Sequence, residues 1–477
     1  MIGFIVLGVI LLFFVIVFVR TIVFQPEKKQ KNEKKDISIN KKKIVDNFIA
    51  LIQCKTVSNR DKTLVLQEEF DKFITELTKR YPRIHKECTL EHIGENGLLY
   101  RWKGKSSEKV SVCMAHYDVV PADEEAWEKP PFSGIIENDV IWGRGTLDTK
   151  GTLCGILEAA EQLMEEGFQP QNDIYFSFSG EEEIDGDTCA EIVSYLEKKG
   201  VRPEFVLDEG GAIVSNVFPG VEKESALIGV GEKGSVNLEF SLKSKGGHAS
   251  TPPVHTILGR LSKVVVNIEK KPFSAQYTKP VLEMFDHLGR HSSFAYRLIF
   301  ANLWCFKPLF SFYCKLAGGE LNAMLRSTCA VTRMEGSKAY NVLPPEASFG
   351  VNLRLLGKDT MKTAVSYLKK IGKDEEVDIK IVNGMNPSIY SDTTCDAYHL
   401  LEEVVLENWE DVIVSPYLMM ACSDSRHYCR ISDHVYRFSA MRLSKEERGM
   451  IHGHNERIPL ETLLQTVEFY IRLLNRL

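Results

Sequence analysis

The first residues of the chain have few folding options, because residues 2–19 contain no polar side chain. As an α-helix this run is about 27 Å long, close to the roughly 30 Å hydrocarbon core of a bilayer. Arg20 can extend its charge to the membrane surface while residues 21–24 complete the span. A cleaved signal peptide is the alternative, but no basic region precedes the run and no small-residue cleavage site follows it. We therefore predict an uncleaved transmembrane anchor over residues 1–24.

Residues 25–43 form a basic linker with eight lysines and three acidic residues. Positively charged residues next to a membrane span prefer the cytosolic side, although long domains can cross a membrane despite such charge. The chain has no usable N-x-S/T glycosylation site, since Asn386 precedes a proline. We interpret the lysines as a solvated linker rather than a lipid-binding patch. The sequence thus predicts a single-pass membrane protein and leaves its side of the membrane open.

The composition is that of ordinary globular domains, with 44% hydrophobic and 26% charged residues. A length of 477 residues allows two or three domains. The formal net charge of -6 gives no basic surface that would point to nucleic acid. The 11 cysteines include no CxxC pair, which argues against a cysteine-based zinc or redox site.

Downstream of the linker, helical patterns alternate with short apolar strands, which is typical of a layered α/β domain. The pattern changes near Ser235, where alternating strands and one helix predict a smaller α+β domain that ends at Leu355. We therefore predict a first part of the main domain over 44–234, an inserted domain over 235–355 and a second part of the main domain over 356–477.

Five clusters of acidic or histidine residues stand out, and most follow a predicted strand, where open α/β sheets place their ligand sites. In the first cluster, His116 and Asp118 are two residues apart, so in a strand they project from the same face. A carboxylate beside a ligating imidazole fixes its tautomer and raises its basicity. An ordinary surface pair is the alternative reading of this motif.

Two further clusters are acidic. Asp148 lies in the glycine-rich segment 143–151 at the start of a predicted helix, where an N-cap role is the alternative. Residues 181–183 are three consecutive glutamates after an apolar strand, and such carboxylates repel one another unless cations or protons neutralise them. A solvated acidic turn is the less favoured reading, because the strand has the character of a central one.

The last two clusters are the Asp208-Glu209 pair, again after an apolar strand, and His452 with His454 near the end of the chain. Each cluster is ambiguous alone. Together they supply enough histidines and carboxylates for two cations that share one bridging acid. Nitrogen and oxygen ligands suit zinc, with cobalt or manganese as substitutes. Paired metals about 3.5–4 Å apart activate water and polarise a carbonyl in aminopeptidase-type hydrolases.

The order of these motifs resembles the co-catalytic zinc aminoacylase/carboxypeptidase family, from about residue 40 to the end of the chain. The segments that carry the resemblance are HYDVVPA, GRGTLDTKG, GEEEIDG, VLDEGG, EKGSVNLEF, GGHASTPP, YNVLPPEASFGVNLR, SDSRHY and IHGHNERI. The chain looks closest to the subgroup of vacuolar carboxypeptidase S and the N-fatty-acyl-amino acid synthase/hydrolase. The resemblance implies an α/β two-zinc exopeptidase-like catalytic domain, with a mixed central sheet and helices on both faces, and an inserted α+β lid or dimerisation domain.

The resemblance also implies roles for single residues. In the family, a glycine follows shortly after the acidic pair, and Gly186 in this position selects Glu182 and Glu183 rather than Glu181. Glu182 would then be the general base. Asp118 would orient a neighbouring ligand. The metal ligands would be His116 and Asp208 for one zinc ion, Glu183 and His452 for the other, and Asp148 for both.

Substrate contacts are implied in the same way. His248 resembles the histidine that reaches the partner subunit's site and steadies the oxyanion, which implies a homodimer through the inserted domain. Asn341 and Arg354 match further substrate-contacting positions. Arg426 resembles the arginine that pairs with the substrate's free carboxylate. Thr149 stands where the family often has a second Asp, and since that residue is not a ligand we expect tuning rather than inactivity.

These implications predict a zinc-dependent hydrolase of the amide bond of N-acyl amino acids, with N-fatty-acyl amino acids favoured and reverse condensation at the same site. A carboxypeptidase or dipeptidase for short peptides is the alternative of the same class. A membrane-tethered binding protein without activity is the alternative of another class, and it is disfavoured because every expected ligand and the base are present. The family resemblance favours a lumenal or extracellular location, whereas the flanking charge favours the cytosol.

The stretch 294–313 is rich in aromatic residues, and Phe300 and Trp304 in it are one helical turn apart. We expect Pro308 to interrupt a single helix here. The favoured reading is a domain core or a dimer contact. The alternative is a surface that receives a long acyl chain.

Overall fold

The computed structural model of the chain describes residues 1–26, 36–216 and 218–477, so residues 27–35 of the predicted basic linker lie outside the described residues. The strands are β1 (Cys88–Ile93), β2 (Gly97–Trp102), β3 (Ser106–His116), β4 (Ile136–Glu137), β5 (Val140–Trp142), β6 (Asn172–Ser179), β7 (Phe205–Val214), β8 (Ser225–Glu232), β9 (Gly234–Lys243), β10 (Gly247–His248), β11 (Thr328–Glu335), β12 (Val342–Leu343), β13 (Glu346–Leu355), β14 (Asp378–Met385), β15 (Ile413–Met419), β16 (Val435–Leu443) and β17 (Arg457–Pro459). The α-helices are α1 (Ile2–Val23), α2 (Lys41–Ile52), α3 (Gln67–Arg80), α4 (Pro82–Glu87), α5 (Lys150–Glu165), α6 (Thr188–Lys198), α7 (Ile257–Lys270), α8 (Lys279–His291), α9 (Phe294–Phe300), α10 (Leu303–Ala317), α11 (Gly319–Leu325), α12 (Met361–Gly372), α13 (Asp396–Asn408), α14 (Lys445–Met450) and α15 (Leu460–Leu474).

The main sheet has eight strands in the order β1-β2-β6-β3-β7-β16-β8-β15. It is mixed, because β3 pairs with β6 and β7 in parallel whereas β2 pairs with β1 and β6 antiparallel. Alternate residues of β3 serve two cores: Cys113 and Ala115 pack in the cluster that includes α5 and α15, and Val112 and Met114 pack in the cluster that includes α6. Helices therefore cover both faces of the mixed sheet, as predicted.

The parallel strands bring the predicted clusters to one edge of this sheet. The last seven residues of β3 are all buried, and the strand ends at His116. His116 is in register with Ser179, the last residue of β6, so the loop that carries the three glutamates starts beside the histidine. Strand β7, which carries Asp208, pairs with the other side of β3. The carboxyl ends of β3 and β6, together with the point of β7 where its pairing with β3 ends, thus form the floor of the candidate site.

A second sheet has four strands in the order β11-β13-β9-β14. Helices α7 and α12 pack on it, and Phe240 stacks on Phe349 at a centroid distance of 4.5 Å. The four-stranded unit differs from the predicted range 235–355 in two respects. Strand β14 pairs with β9, so this unit continues to Met385, whereas the helices α8, α9 and α10 lie inside the predicted range but pack into the main core through Phe285 and Phe300. Hydrophobic spacing indicates that an element is buried and not which sheet buries it.

The aromatic stretch also differs from the prediction. The chain breaks between α9 and α10 at residues 301–302, and α10 continues through Pro308. The side chain of Asn302 turns towards α1, where its Nδ2 donates to Val17 O at 3.1 Å, and this tertiary contact fixes the break. Phe300 packs in the main core while Trp304 is 53% exposed, so the two residues do not form one surface.

Helix α1 confirms the predicted N-terminal helix. Among the described residues it is the one helix long and apolar enough to cross a membrane, a character that a signal sequence shares. Only Val17 and Thr21 of this helix are buried.

Candidate metal centre and active site

Asp148 lies at the centre of the candidate metal site, in the loop between β5 and α5. Its Oδ1 is 3.0 Å from His116 Nε2, and its Oδ2 is 3.0 Å from His452 Nε2. The two oxygens of one carboxylate therefore face two different imidazoles, as in an acid that bridges two cations. Thr149 occupies the N-cap position of α5, so the N-cap alternative for Asp148 fails.

His116 is almost fully buried, and its two ring nitrogens have different partners. Nδ1 donates to the backbone oxygen of Asp118 at 3.0 Å and lies 3.4 Å from Asp118 Oδ1. Because this bond fixes the hydrogen on Nδ1, Nε2 is left with its lone pair towards the site. The Asp118 carboxylate also accepts the backbone N–H groups of Glu182 and Glu183, each at 3.1 Å. Asp118 thus joins the histidine to the loop that carries both glutamates.

Glu182 and Glu183 begin a short 3-10 helix directly after β6. Glu183 Oε2 lies 2.9 Å from His452 Nε2. Burial raises the pKa of Glu182 well above its usual range and also raises the pKa of Glu183. The predicted alternative of a solvated acidic turn therefore does not apply to these two carboxylates.

The side chains of Asp208 and Glu209 lie in different surroundings. Asp208 is buried, and its Oδ2 accepts the backbone N–H of Ser425 at 3.0 Å. Glu209 instead places Oε1 3.4 Å from His116 Nε2. The structure thus brings Glu209, rather than the expected Asp208, to the first histidine. Neighbouring residues of a strand face opposite sides, and an Asp-Glu pair alone carries no signal for which of the two faces the site.

Two overlapping groups of side chains converge closely enough to hold cations. Within each group, one ligand atom per residue lies within 4.8 Å of the others. The groups are His116 with Asp148 and Glu183, and His116 with Glu182 and Glu209.

The electrostatics of the cluster fit divalent cations. Burial, and next the charge of Asp148, raises the pKa of Glu209 to about 8. Hydrogen bonds to Asp148 and Glu183 raise the pKa of His452 to about 10. Burial also acts on Asp148, but the two histidines hold its pKa below the usual range. Crowded carboxylates with imidazole nitrogens form a donor set that suits zinc, and two cations would neutralise the excess negative charge.

Glu456 was not identified from the sequence, yet its fully buried carboxylate organises the Asp148 loop. Oε1 accepts the backbone N–H groups of Leu147 at 2.8 Å and Asp148 at 3.3 Å, and Oε2 accepts Arg144 Nη1 at 2.7 Å. Arg144 Nη2 in turn donates to the backbone oxygen of Gly453, next to His452. Glu456 lies in the same sequence motif as His452, and this proximity was the one available indication of a role in the site. The motif does not show that Glu456 binds a loop some 300 residues earlier.

The predicted carboxylate-binding residue, Arg426, lies in a cleft of about 700 Å³ between the two sheets. Asp185 lies on one side of the cleft and Asn237 on the other. Arg426 Nη2 donates to Asp185 Oδ1 at 3.0 Å, and its buried Nε has no hydrogen-bond partner among the described residues. Arg354 lies at the end of β13, and its Nη1 donates to Cys422 Sγ at 3.4 Å.

His248 and Asn341 lie apart from this cluster. Both are exposed, near the small β10–β12 pair, and His248 Nδ1 is 2.7 Å from Ser250 Oγ. Within the described part of one chain, no hydrogen bond or ion pair joins either residue to the Asp148 cluster.

The fold and this cluster fit a metal-dependent hydrolase. Residues 112–476 match the family described as Peptidase family M20/M25/M40, and the chain belongs to this family. The solved structure of an M20 family metallo-carboxypeptidase, Sso-CP2 from Sulfolobus solfataricus, has the same fold, with a TM-score of 0.66 at 18% identity over 91% of this chain and 98% of that chain.

Two curated relatives are more similar in sequence. "Probable carboxypeptidase S-like 2" of Dictyostelium discoideum is 36% identical over 428 residues, which cover 88% of this chain and 82% of that protein. "N-fatty-acyl-amino acid synthase/hydrolase PM20D1" of Xenopus tropicalis is 34% identical over 442 residues, which cover 91% of this chain and 86% of that protein. The predicted family is thereby confirmed, and the chain is a metallopeptidase-type hydrolase.

Proposed function

We propose that the chain hydrolyses the amide bond of N-acyl amino acids with two zinc ions, and that long fatty-acyl groups are its preferred acyl class. The observation that carries the chemistry is the Asp148 carboxylate shared between His116 and His452, with Glu182 beside His116. The acyl class is supported by the similarity to the N-fatty-acyl-amino acid synthase/hydrolase. Because amide hydrolysis is reversible, the same site would also catalyse condensation.

Each zinc ion would have its own ligands beside the shared Asp148. His116 and Glu209 would hold the first ion, with Glu209 in the role expected of Asp208, and Glu183 and His452 would hold the second. When bound, the ions would polarise the scissile carbonyl and lower the pKa of a water molecule.

Glu182 would move the proton. Its carboxylate takes a proton from water as the oxygen adds to the carbonyl carbon, and gives that proton to the amide nitrogen as the C–N bond breaks. The products are a carboxylic acid and a free amino acid. Burial raises the pKa of Glu182, which makes the carboxylate a better proton acceptor, and the Asp118 bond to its backbone N–H fixes its position.

Arg426 would bind the carboxylate of the amino acid, because a guanidinium can donate two parallel hydrogen bonds to a carboxylate. Its location in the cleft and the free Nε support this role. Arg354 would contribute further positive charge nearby. The exposed positions of His248 and Asn341 suit the family arrangement in which they complete the active site of the partner subunit, so we propose a homodimer.

The alternative substrate is a short peptide with a free carboxyl terminus. The carboxypeptidase S-like relative favours it, and Arg426 would serve a peptide carboxylate equally well. For either substrate, we propose that α1 anchors the chain in a membrane, since its 22 residues form a helix of about 33 Å.

The hydrolase proposal is tested with the purified full chain in detergent and an N-oleoyl amino acid. We expect release of oleate with added zinc and none after chelation. Glu182→Gln is the matched control, because it should keep its zinc while losing about 100- to 10,000-fold in turnover. Chelator-resistant release, or a Glu182→Gln variant as active as the wild type, would contradict the proposed chemistry.

A further inference from the structure

Helices α9 and α10 present an apolar surface that the protein itself leaves uncovered. We call it the α9–α10 surface, and its members are between 43% and 70% exposed: Tyr296, Trp304, Leu309, Phe312, Tyr313 and Leu316. Single exposed apolar residues are normal on soluble proteins, but a concentration of large ones on two consecutive helices marks an interaction site.

The same two helices hold α1 through polar and aromatic contacts. Asn302 Nδ2 donates to Val17 O and Thr21 Oγ1, both at 3.1 Å, and Arg20 Nη2 donates to the backbone oxygen of Ala301 at 3.0 Å. These bonds join α1 at a defined height to the break between α9 and α10.

Aromatic contacts continue further along α1. The rings of Phe18 and Phe294 lie 6.3 Å apart, and those of Phe13 and Trp304 lie 5.7 Å apart. Phe13 precedes Arg20 by seven residues, which is about 10 Å along the helix axis. If Arg20 marks the membrane surface, the ring of Trp304 lies at the depth of acyl chains rather than in water. If α1 spans the membrane as proposed above, the start of α10 therefore also lies within the bilayer.

The composition of the two helices fits lipid rather than a second protein surface. Residues 294–317 contain three basic residues and no acidic residue. Tryptophan and tyrosine prefer the membrane interface, and lysine can lay its aliphatic stem along an apolar surface while its charge stays in water. The Lys307 Nζ lies 5.0 Å from the centroid of the Tyr277 ring, a cation–π contact at the edge of the two helices. Cationic and aromatic side chains without acids are typical of helices that lie in a membrane surface that contains anionic lipids.

We infer that the α9–α10 surface is inserted in the lipid leaflet beside α1. The catalytic unit then lies on the membrane at a fixed orientation and is not attached to it by a flexible linker alone. The occupant of this surface is the outer acyl-chain region of the bilayer. This inference depends on α1 as a membrane span and not on which amide the site hydrolyses.

The test uses tryptophan fluorescence of the full chain reconstituted in vesicles that contain anionic lipid and brominated phosphatidylcholine. Bromine quenches tryptophan only at close range, and Trp304 is the tryptophan on the α9–α10 surface. We expect bromines about 10 Å below the headgroups to quench the wild type, and Trp304→Phe to lose at least half of that quenching. Trp102→Phe, which removes a buried tryptophan of the main sheet, is the matched control and should keep it.

Three results would overturn the inference. The first is bromine quenching that Trp304→Phe leaves unchanged. The second is a wild-type component that aqueous iodide quenches and Trp304→Phe removes, because the surface then faces water. The third is a Trp304 component that neither quencher reaches, because a second copy of the chain then covers it. Turnover is not part of this measurement, so its outcome is separate from that of the hydrolase proposal.

Discussion

Replacing Glu456 with Gln should weaken both zinc binding and stability, although Glu456 touches neither histidine. Its carboxylate accepts the Arg144 guanidinium at 2.7 Å and the Leu147 backbone N–H at 2.8 Å, and both Glu456 and Arg144 are at most 2% exposed. An amide has one oxygen for these two donors. Its NH₂ group therefore faces either Arg144 or the Asp148 loop, and one buried donor loses its acceptor.

The magnitude follows from which bond is lost. Leaving Arg144 as a buried charge without its partner costs about 3–5 kcal/mol of unfolding free energy. The loop that holds Asp148 and the backbone next to His452 both relax when this network opens. Groups that orient metal ligands contribute about 10- to 100-fold in metal affinity. We therefore expect Glu456→Gln to lower zinc affinity by that factor.

The assay is a zinc titration against a competing chelator, together with denaturant unfolding of the zinc-loaded and zinc-free chain. Glu446→Gln is the matched control, because Glu446 forms an exposed ion pair with Arg457 at 2.8 Å in the same segment. It should change stability by less than about 1 kcal/mol and leave zinc affinity unchanged. A Glu456→Gln variant indistinguishable from Glu446→Gln in both measurements would refute the positioning role.

Four other substitutions test single residues of the site. Glu209→Gln should reduce bound zinc from two ions towards one, whereas Asp208→Asn should keep both ions and lower stability. Metal analysis of the purified variants tests this, and the opposite pattern of zinc content would show that Asp208 is the ligand. Asp118→Asn puts an NH₂ group against the backbone N–H of either Glu182 or Glu183, and it should lower zinc affinity about 10- to 100-fold in the same titration. An unchanged affinity would count against the role of Asp118. Arg426→Lys should raise KM for an N-acyl amino acid more than it lowers kcat, because lysine cannot donate two parallel hydrogen bonds to the carboxylate. Steady-state kinetics measure both constants, and a KM equal to that of the wild type would show that Arg426 does not bind the carboxylate.

The main sheet was predictable because β3, β6 and β7 each contain a short apolar run with an acid or a histidine at its end or close after it. The buried half of β3 is such a run and ends at His116, and the buried part of β6 is another, which precedes the three glutamates. The inserted unit was less predictable. β14 lies beyond the apparent end of that unit and joins it only through pairing with β9, a contact between distant segments that local periodicity does not encode.

Within the site, the residues at strand ends were found because strand order places them at one edge. His116 and Asp148 lie together as the motifs indicated. The sequence indicated the Asp208-Glu209 pair but not which of the two acids faces His116, because that choice requires the twist and pairing of β7. Glu456 was missed because its partners, Arg144 and two backbone N–H groups, lie about 300 residues earlier in the chain, and local sequence does not show such a pairing.

The central claim is that this zinc site serves N-fatty-acyl amino acids. The most direct measurement is kcat/KM of the zinc-loaded full chain for an N-oleoyl amino acid, an N-acetyl amino acid and a simple dipeptide, each with and without chelator. The account predicts the highest value for the N-oleoyl substrate and no turnover of any substrate after chelation. A preference for the dipeptide would make the protein a carboxypeptidase or dipeptidase, and no turnover by a chain that holds zinc would contradict the hydrolase account.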